Sequence, residues 1–361
     1  MGFIRLLLAL AVFNSHFPLL EDLPIVDGHE AVLTFFAISG FYMALILDTA
    51  YATPRQFYRA RIASLYPPYL FALALSLALL LLLGVHPYTT RAALASFLAD
   101  PLSLLLWAWT SLTLLGQDLF FCLSRAADGS LHFVSANRDA VWRQLPLVQT
   151  WSLSLEAVFY ALAPFLVRLK NRTLLGLVAA SLGIKLFVFF GPAKDVGFFI
   201  RFFPAEFWLF GCGILAYRAY ARLPKETLAF DYLAAALLAG SIFVADLAPD
   251  GLEPFCLPLA ALVTIPFVFR AFGGFSADRA IGKISYPFYL LHFTAIALFE
   301  KFLEEPAGWH ILLCTLAGAV LTHLFFSQGV KRLKHTLPLR PFLPVAPAPA
   351  PAPLKVPGGM S

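Results

Sequence analysis

Apolar residues run along this chain in long unbroken stretches, with polar residues gathered between them. The stretch FALALSLALLLLLG from Phe71 is typical. Such runs occupy about residues 3–20, 31–48, 66–84, 150–167, 173–190, 200–217, 229–246, 256–270, 282–302 and 308–328. Each is close to the roughly 20 residues a helix needs to cross a bilayer. A further run, about 94–123, is broken by Gly116, Gln117 and Asp118. A membrane β-barrel would instead alternate weakly over segments of about 10 residues. The pattern predicts an all-α, polytopic membrane bundle of about ten transmembrane helices plus one re-entrant or surface element.

Composition agrees. Of 361 residues, 60% are hydrophobic and 13% charged, against roughly 45–50% and 25% in soluble domains. That excess excludes soluble, disordered and collagen-like readings. The four cysteines lie far apart without a CxxC, so no disulfide framework or metal site is expected. Cys212 and Cys314 read as small apolar residues within the membrane.

Charge gives the runs a direction, because Arg and Lys collect in short cytoplasmic loops. Most of the 26 basic residues fall on one face: Arg5; Arg55, Arg59 and Arg61; Arg168, Lys170 and Arg172; Arg218, Arg222 and Lys225; Arg270, Arg279 and Lys283; then the residues after the last run. The intervening loops are acidic, as at Glu21, Asp22 and Asp27 or Glu304 and Glu305. Both termini are therefore expected in the cytoplasm. If residues 94–123 crossed once, every later loop would invert, so this run is expected to re-enter or to lie on the outer surface. The modest net charge of +5 is accounted for by these loops and calls for no nucleic-acid partner. The start, MGFIRLLLALAVF, has signal-peptide character but no small-x-small cleavage site before Asn14; it reads as a retained first span. Residues 1–335 form the expected membrane domain. Residues 336–361, rich in Pro and Ala, are expected to be a disordered cytoplasmic tail.

Ionisable groups inside spans are costly and mark candidate sites. His16 lies 11 residues after Arg5, about 16 Å along a helix. A histidine there is either a proton acceptor for a hydroxyl or a residue bonded to a neighbouring helix. Ser152, Glu156 and Tyr160 are spaced by four and share one helix face. Ser285 and Tyr289 share a face with His292. Arg201 starts a run at the outer surface, as a binding residue or an interface anchor. Ser39-Gly40 permits close helix packing or ligand approach, and no GxSxG elbow is present. Arg59 and Arg61 precede Tyr66-Pro67-Pro68-Tyr69 and suit a phosphorylated cofactor or anionic lipid headgroups. No HxxxH or HExxH spacing occurs, so no metal is expected.

Together these segments resemble the acyltransferase 3 family of integral-membrane acyltransferases. Arg5 and His16 match its Arg-x10-His signature. Phe35, Phe36, Ser39, Gly40 and Phe41 match its Phe-Phe-x-x-Ser-Gly-Phe stretch. Arg61, Pro67, Pro68 and Tyr69 match its basic motif, although Ser64 stands where a second arginine is usual, leaving Arg59 or Arg55 to supply that charge. Trp151, Ser152, Leu153, Glu156, Phe159 and Tyr160 match Trp-Ser-Leu-x-x-Glu-x-x-Phe-Tyr. Phe207 to Gly211 resembles the Phe-x-x-Gly stretch. Ser285, Tyr286, Tyr289, Leu290 and His292 match Ser-Tyr-x-x-Tyr-Leu-x-His.

The resemblance implies an O-acyltransferase of the inner (plasma) membrane. It would move an acyl group, typically acetyl, from cytoplasmic acyl-CoA to a hydroxyl of an extracytoplasmic or lipid-linked glycan. Acyl-CoA is then a co-substrate, with no permanently bound cofactor; the partners are a surface glycan or lipid-linked saccharide and membrane lipids. It implies His16, Glu156, Tyr289 and Ser285 as catalytic residues, and Arg61, Arg59 and Arg5 at the CoA site. Ser39, Trp151, Ser152, His292 and Arg201 would bind substrate. Two other classes fit the residues alone. One is a transporter of a sugar or anionic solute with His and Glu as proton relays, although no matching halves are visible. The other is a scaffold subunit of envelope assembly.

Overall fold

The computed structural model describes residues 1–19, 25–126, 130–134, 140–191, 201–247, 249 and 252–335. The Pro/Ala-rich tail 336–361 lies outside the described residues. Helices dominate: α1 (Gly2–His16), α2 (Gly28–Thr49), α3 (Pro54–Leu83), α4 (Arg91–Leu98), α5 (Pro101–Thr113), α6 (Trp151–Leu166) and α7 (Asn171–Phe190). They continue with α8 (Phe203–Tyr220), α9 (Ala229–Ile242), α10 (Glu253–Phe272), α11 (Ser276–Phe302) and α12 (Gly308–His335). A two-stranded antiparallel ribbon, β1 (Leu123–Arg125) with β2 (Leu131–Phe133), pairs Ser124 with His132 between α5 and α6.

Every one of the ten apolar runs is occupied by a helix. Five of these helices are long and apolar enough to cross a membrane by length and composition: α2, α3, α7, α10 and the first 20 residues of α12. The count of about ten spans is therefore not reproduced on that criterion. The other five helices fall short for visible reasons. α1, α6 and α9 have 15, 16 and 14 residues, about 21–24 Å at 1.5 Å per residue, against about 30 Å of hydrocarbon. α8 carries Glu206 and Arg218. The first two turns of α11 carry Asp278, Arg279 and Lys283. The run 94–123 folds as α4 and α5 at 110° to one another, which makes it a broken span or a re-entrant loop.

Local signals place the boundaries. Thr53 and Gln56 close a capping box at the start of α3, Pro54 opens it, and Gly84 ends it in the left-handed region. Asp100 caps α5 by accepting from the Ser103 amide at 2.7 Å. The chain leaves α5 through Leu114 and Gly116, with φ of 65° and 85°.

A polar network pins this bent element to the bundle. Tyr69 Oη donates to Ser111 O (2.6 Å), and Gln117 Nε2 donates to Tyr69 Oη (3.2 Å) and Thr110 O (3.1 Å). Thr150 Oγ1 bonds Gln117 Oε1, and Ser154 Oγ donates to Asp118 Oδ1 at 2.9 Å. Gly116, Gln117 and Asp118, which interrupt the apolar run, are the residues that dock it.

The exterior is apolar, as a bilayer requires. Leu82 on α3, Phe187 on α7, Val263 on α10 and Phe325 on α12 are all at least 70% exposed. Inside, α2 and α8 touch through their backbones. A Cβ on Gly40 would lie 2.1 Å from Phe210 O, and one on Gly213 2.2 Å from Ala37 O. Small residues allow such approach between membrane helices. Gly213→Ala therefore forces α2 and α8 apart, with an expected loss of about 1–3 kcal/mol, read as earlier thermal inactivation in detergent. Gly240→Ala is the control, because a Cβ there meets nothing within 4 Å.

Candidate active site

The site is assembled by α1, α2, α6 and α11. A partly open cavity is lined by Arg5, Val32, Phe35, Phe36, Ser152, Leu153, Glu156, Ser285, Tyr286 and Tyr289. Arg5, expected among the inward-facing arginines, thus shares a chamber with Glu156, Ser285 and Tyr289. Arg5 forms no ion pair among the described residues and lines the same cavity as Glu156.

The stripe on α6 is as the spacing predicts. Tyr160 Oη meets Ser39 Oγ at 3.3 Å, one turn beyond Glu156 on the same face. One turn of helix before Glu156, Ser152 Oγ meets Tyr289 Oη at 2.8 Å. Glu156 acts through space on Tyr160, Tyr286 and Tyr289. Glu156, Tyr286 and Tyr289 line the same cavity.

The hydroxyls of Tyr289 and Ser285 are both committed to backbone carbonyls. Tyr289 Oη donates to Gln149 O at 2.7 Å, and Ser285 Oγ donates to Gly282 O at 2.9 Å. Each group has one O–H. In this arrangement both face the cavity as acceptors, and Arg5 is the cavity-lining cation.

His16 ends α1 and is exposed, with Ser15 beside it. Its ring lies 5.7 Å from that of His292, the planes 19° apart, and 4.3 Å from that of Phe293. His292 is completely buried. Its Nδ1 lies 2.7 Å from Tyr289 O; a carbonyl only accepts, so Nδ1 carries the proton and Nε2 the lone pair. Tyr289 thus links the cavity to the histidine pair. Its side chain lines the cavity, and its carbonyl holds the histidine next to His16.

The remaining expected residues divide. Arg61 is half-buried, its Cζ 6.0 Å from the Phe57 ring, and it acts electrostatically on Tyr160. Arg59 is exposed on α3. Trp151 stacks on His29 with ring centroids 5.8 Å apart. The Arg201 guanidinium lies over Trp151 and Phe121, at 4.8 and 4.3 Å. Trp151 also meets the cavity-lining Phe36 edge-on at 6.5 Å, and Arg201 acts through space on Glu206, which pairs with the buried Lys185.

The family model described as an acyltransferase domain matches residues 2–327. The chain belongs to the acyltransferase 3 family. No match was found among curated proteins or among solved structures. The family makes this chain a membrane acyltransferase, and the transporter alternative finds no support in it. Within an acyltransferase 3 domain of this length, one signal was not visible in the sequence. Gln149 reaches α11 with both its side-chain amide and its backbone carbonyl, yet no spacing or motif marks it beyond its position two residues before Trp151.

Proposed function

We propose that the protein transfers an acyl group, typically acetyl, from cytoplasmic acyl-CoA to a hydroxyl of an extracytoplasmic or lipid-linked glycan, acting in the inner (plasma) membrane. The observation that carries this reading is the linkage at Tyr289. A chamber with a cation and a carboxylate adjoins an exposed imidazole from a different helix. In this topology all ten helices of the apolar runs cross the membrane, α4 and α5 re-enter, and both termini are cytoplasmic. The short helices α1, α6 and α9 are accommodated by local thinning or packing.

In the proposed reaction Arg61, with Arg59, holds CoA phosphates by charge-assisted hydrogen bonds. Arg5, near the start of α1, extends that CoA site, and the thioester arm threads through the chamber past Tyr289 towards His16. The acceptor hydroxyl gives its proton to His16 as its oxygen bonds the acyl carbon. The carbon–sulfur bond breaks, and CoA leaves as a thiolate that is then protonated. Glu156, through Tyr160 and Tyr289, holds the chamber polar and oriented. Ser39, Ser152 and Tyr289 line the way between the cavity and the histidine pair, and Arg201 and Trp151 close its outer flank.

Mass spectrometry of surface glycans from a deletion strain and its parent tests the reading. One acyl mass is expected to disappear from one glycan on deletion; identical glycan spectra would overturn the assignment. At the donor end, Arg61→Ala should weaken acetyl-CoA binding about 10–100-fold, the equivalent of a hydrogen bond to a charged group. It should also flatten the salt dependence of binding. Calorimetric titration of the purified protein at two ionic strengths measures both.

A further inference from the structure

Two neighbouring buried residues at the start of α6 hold different parts of the bundle. Thr150 bonds Gln117 and so ties α6 to the bent element of α4 and α5. Gln149 reaches α11 instead. Its Nε2 donates to Leu290 O at 2.8 Å and lies 3.5 Å from Tyr289 O. Its own carbonyl accepts from Tyr289 Oη at 2.7 Å and from Ser152 Oγ at 3.2 Å. One residue therefore holds the Tyr289 hydroxyl with its backbone and the next peptide of α11 with its side chain. The hold falls three residues after Pro287, which has no N–H and so cannot make the helical bond back to Lys283 O. A membrane helix opened at proline relies on outside bonds to fix its geometry. The same turn carries His292, whose Nδ1 donates to Tyr289 O at 2.7 Å and whose ring lies 5.7 Å from that of His16. Gln149 itself is not among the residues that line the cavity.

We propose that Gln149 is a positioning residue for acyl transfer: its amide holds α11 just past Pro287, which keeps Tyr289 in the cavity wall and the His292 ring against His16. The proposal rests on the acyl-transfer reading and adds to it a residue that touches neither donor nor acceptor. What matters is the donor at Nε2. Leu290 O only accepts. A side chain of this length that presents a hydrogen keeps the hold; one that presents a lone pair or a methyl group loses it. Packing alone makes no such distinction. Gln149 is 3% exposed, so bulk water does not take the place of the amide.

The test uses the full chain in inverted membrane vesicles of the deletion strain, which supply the native acceptor, with labelled acetyl-CoA added outside. Gln149→Met removes the donor and keeps the length. Its Vmax per folded protein should fall about tenfold or more, with the acetyl-CoA KM within about twofold. Gln149→Glu is the conservative variant. Its carboxyl donates to Leu290 O when protonated and cannot when ionised. Its rate relative to wild type should therefore be close to unity at about pH 5 and fall about tenfold or more by about pH 9, a span that covers buried carboxyl groups. That change is read within one folded protein. The charged or titratable groups that act on Tyr289 and His292 are His16, Glu156 and Arg201; the wild type shares them, so the ratio isolates the introduced carboxyl. A ratio that stays flat across that span, a Gln149→Met Vmax within about twofold of wild type, or a loss carried by KM would overturn the positioning role. Histidine 15N NMR in nanodiscs reads the hold without turnover, with His292→Asn identifying the signal. The His292 resonance should shift in Gln149→Met, and an unchanged resonance would overturn the hold. A shifted resonance with no label in wild-type vesicles overturns the acyl-transfer reading and leaves the hold standing. No shift and no label overturns both.

Discussion

Replacing His16 by alanine lowers acyl transfer by about 10²–10⁴-fold, the usual contribution of a positioned general base. The acetyl-CoA affinity stays within about twofold, because Arg61 and Arg59 lie on α3 and His16 lies at the far end of α1 from Arg5. His16 is the exposed member of the histidine pair and so the one an acceptor can reach. His292 is sealed and has its Nδ1 proton committed to Tyr289 O. Glutamine at position 16 should not rescue turnover, since it can bond a hydroxyl but cannot take its proton at neutral pH. Steady-state kinetics of the purified variants separate the two parameters. A loss confined to the acetyl-CoA KM would assign His16 to donor binding instead.

Lys185→Met destabilises the fold by about 3–5 kcal/mol, the range for breaking a buried ion pair from one side. Lys185 and Glu206 are 3% and 0% exposed, and the pair ties α7 to α8. Without the ammonium, the Glu206 carboxylate remains buried with a second oxygen that already has no hydrogen-bond partner among the described residues. Adding Glu206→Leu removes that stranded charge, so the double variant should regain most of the loss. Thermal unfolding in detergent, followed by loss of the monodisperse peak, compares the three proteins. Equal melting of wild type and Lys185→Met would show that the pair contributes nothing.

The apolar runs mark all ten of these helices because each run is long and continuous. The same runs misstate length where a helix ends early. Run 3–20 continues past His16, but the α-helix stops there and Phe17 is extended. The break at Gly116 to Asp118 marks where the run leaves α5 and docks through the Tyr69–Gln117–Thr150 network, but the 110° bend lies earlier, between α4 and α5 at Ala99 and Asp100, inside the apolar run. Spacing by four places Ser152, Glu156 and Tyr160 on one face, as observed, because that geometry is internal to a single helix. The partners of those residues are tertiary, and the sequence is silent on them. Arg5 reads as one of the cations on the cytoplasmic face until α11 folds against α1 and leaves it lining the chamber. Ser285 and Tyr289 share a helix face in the sequence, and the structure adds that their hydroxyls donate to Gly282 O and Gln149 O. Gln149 carries no motif, and its importance lies entirely in two carbonyls 140 and 141 residues away.

The most direct measurement separates donor and acceptor across a membrane. Proteoliposomes are loaded with labelled acetyl-CoA and washed, and a membrane-impermeant saccharide is supplied outside. Label is expected on the external saccharide with the wild-type protein and at background with His16→Ala. Label that appears only when the saccharide is sealed inside with the acetyl-CoA, or transfer that survives loss of His16, would contradict the account.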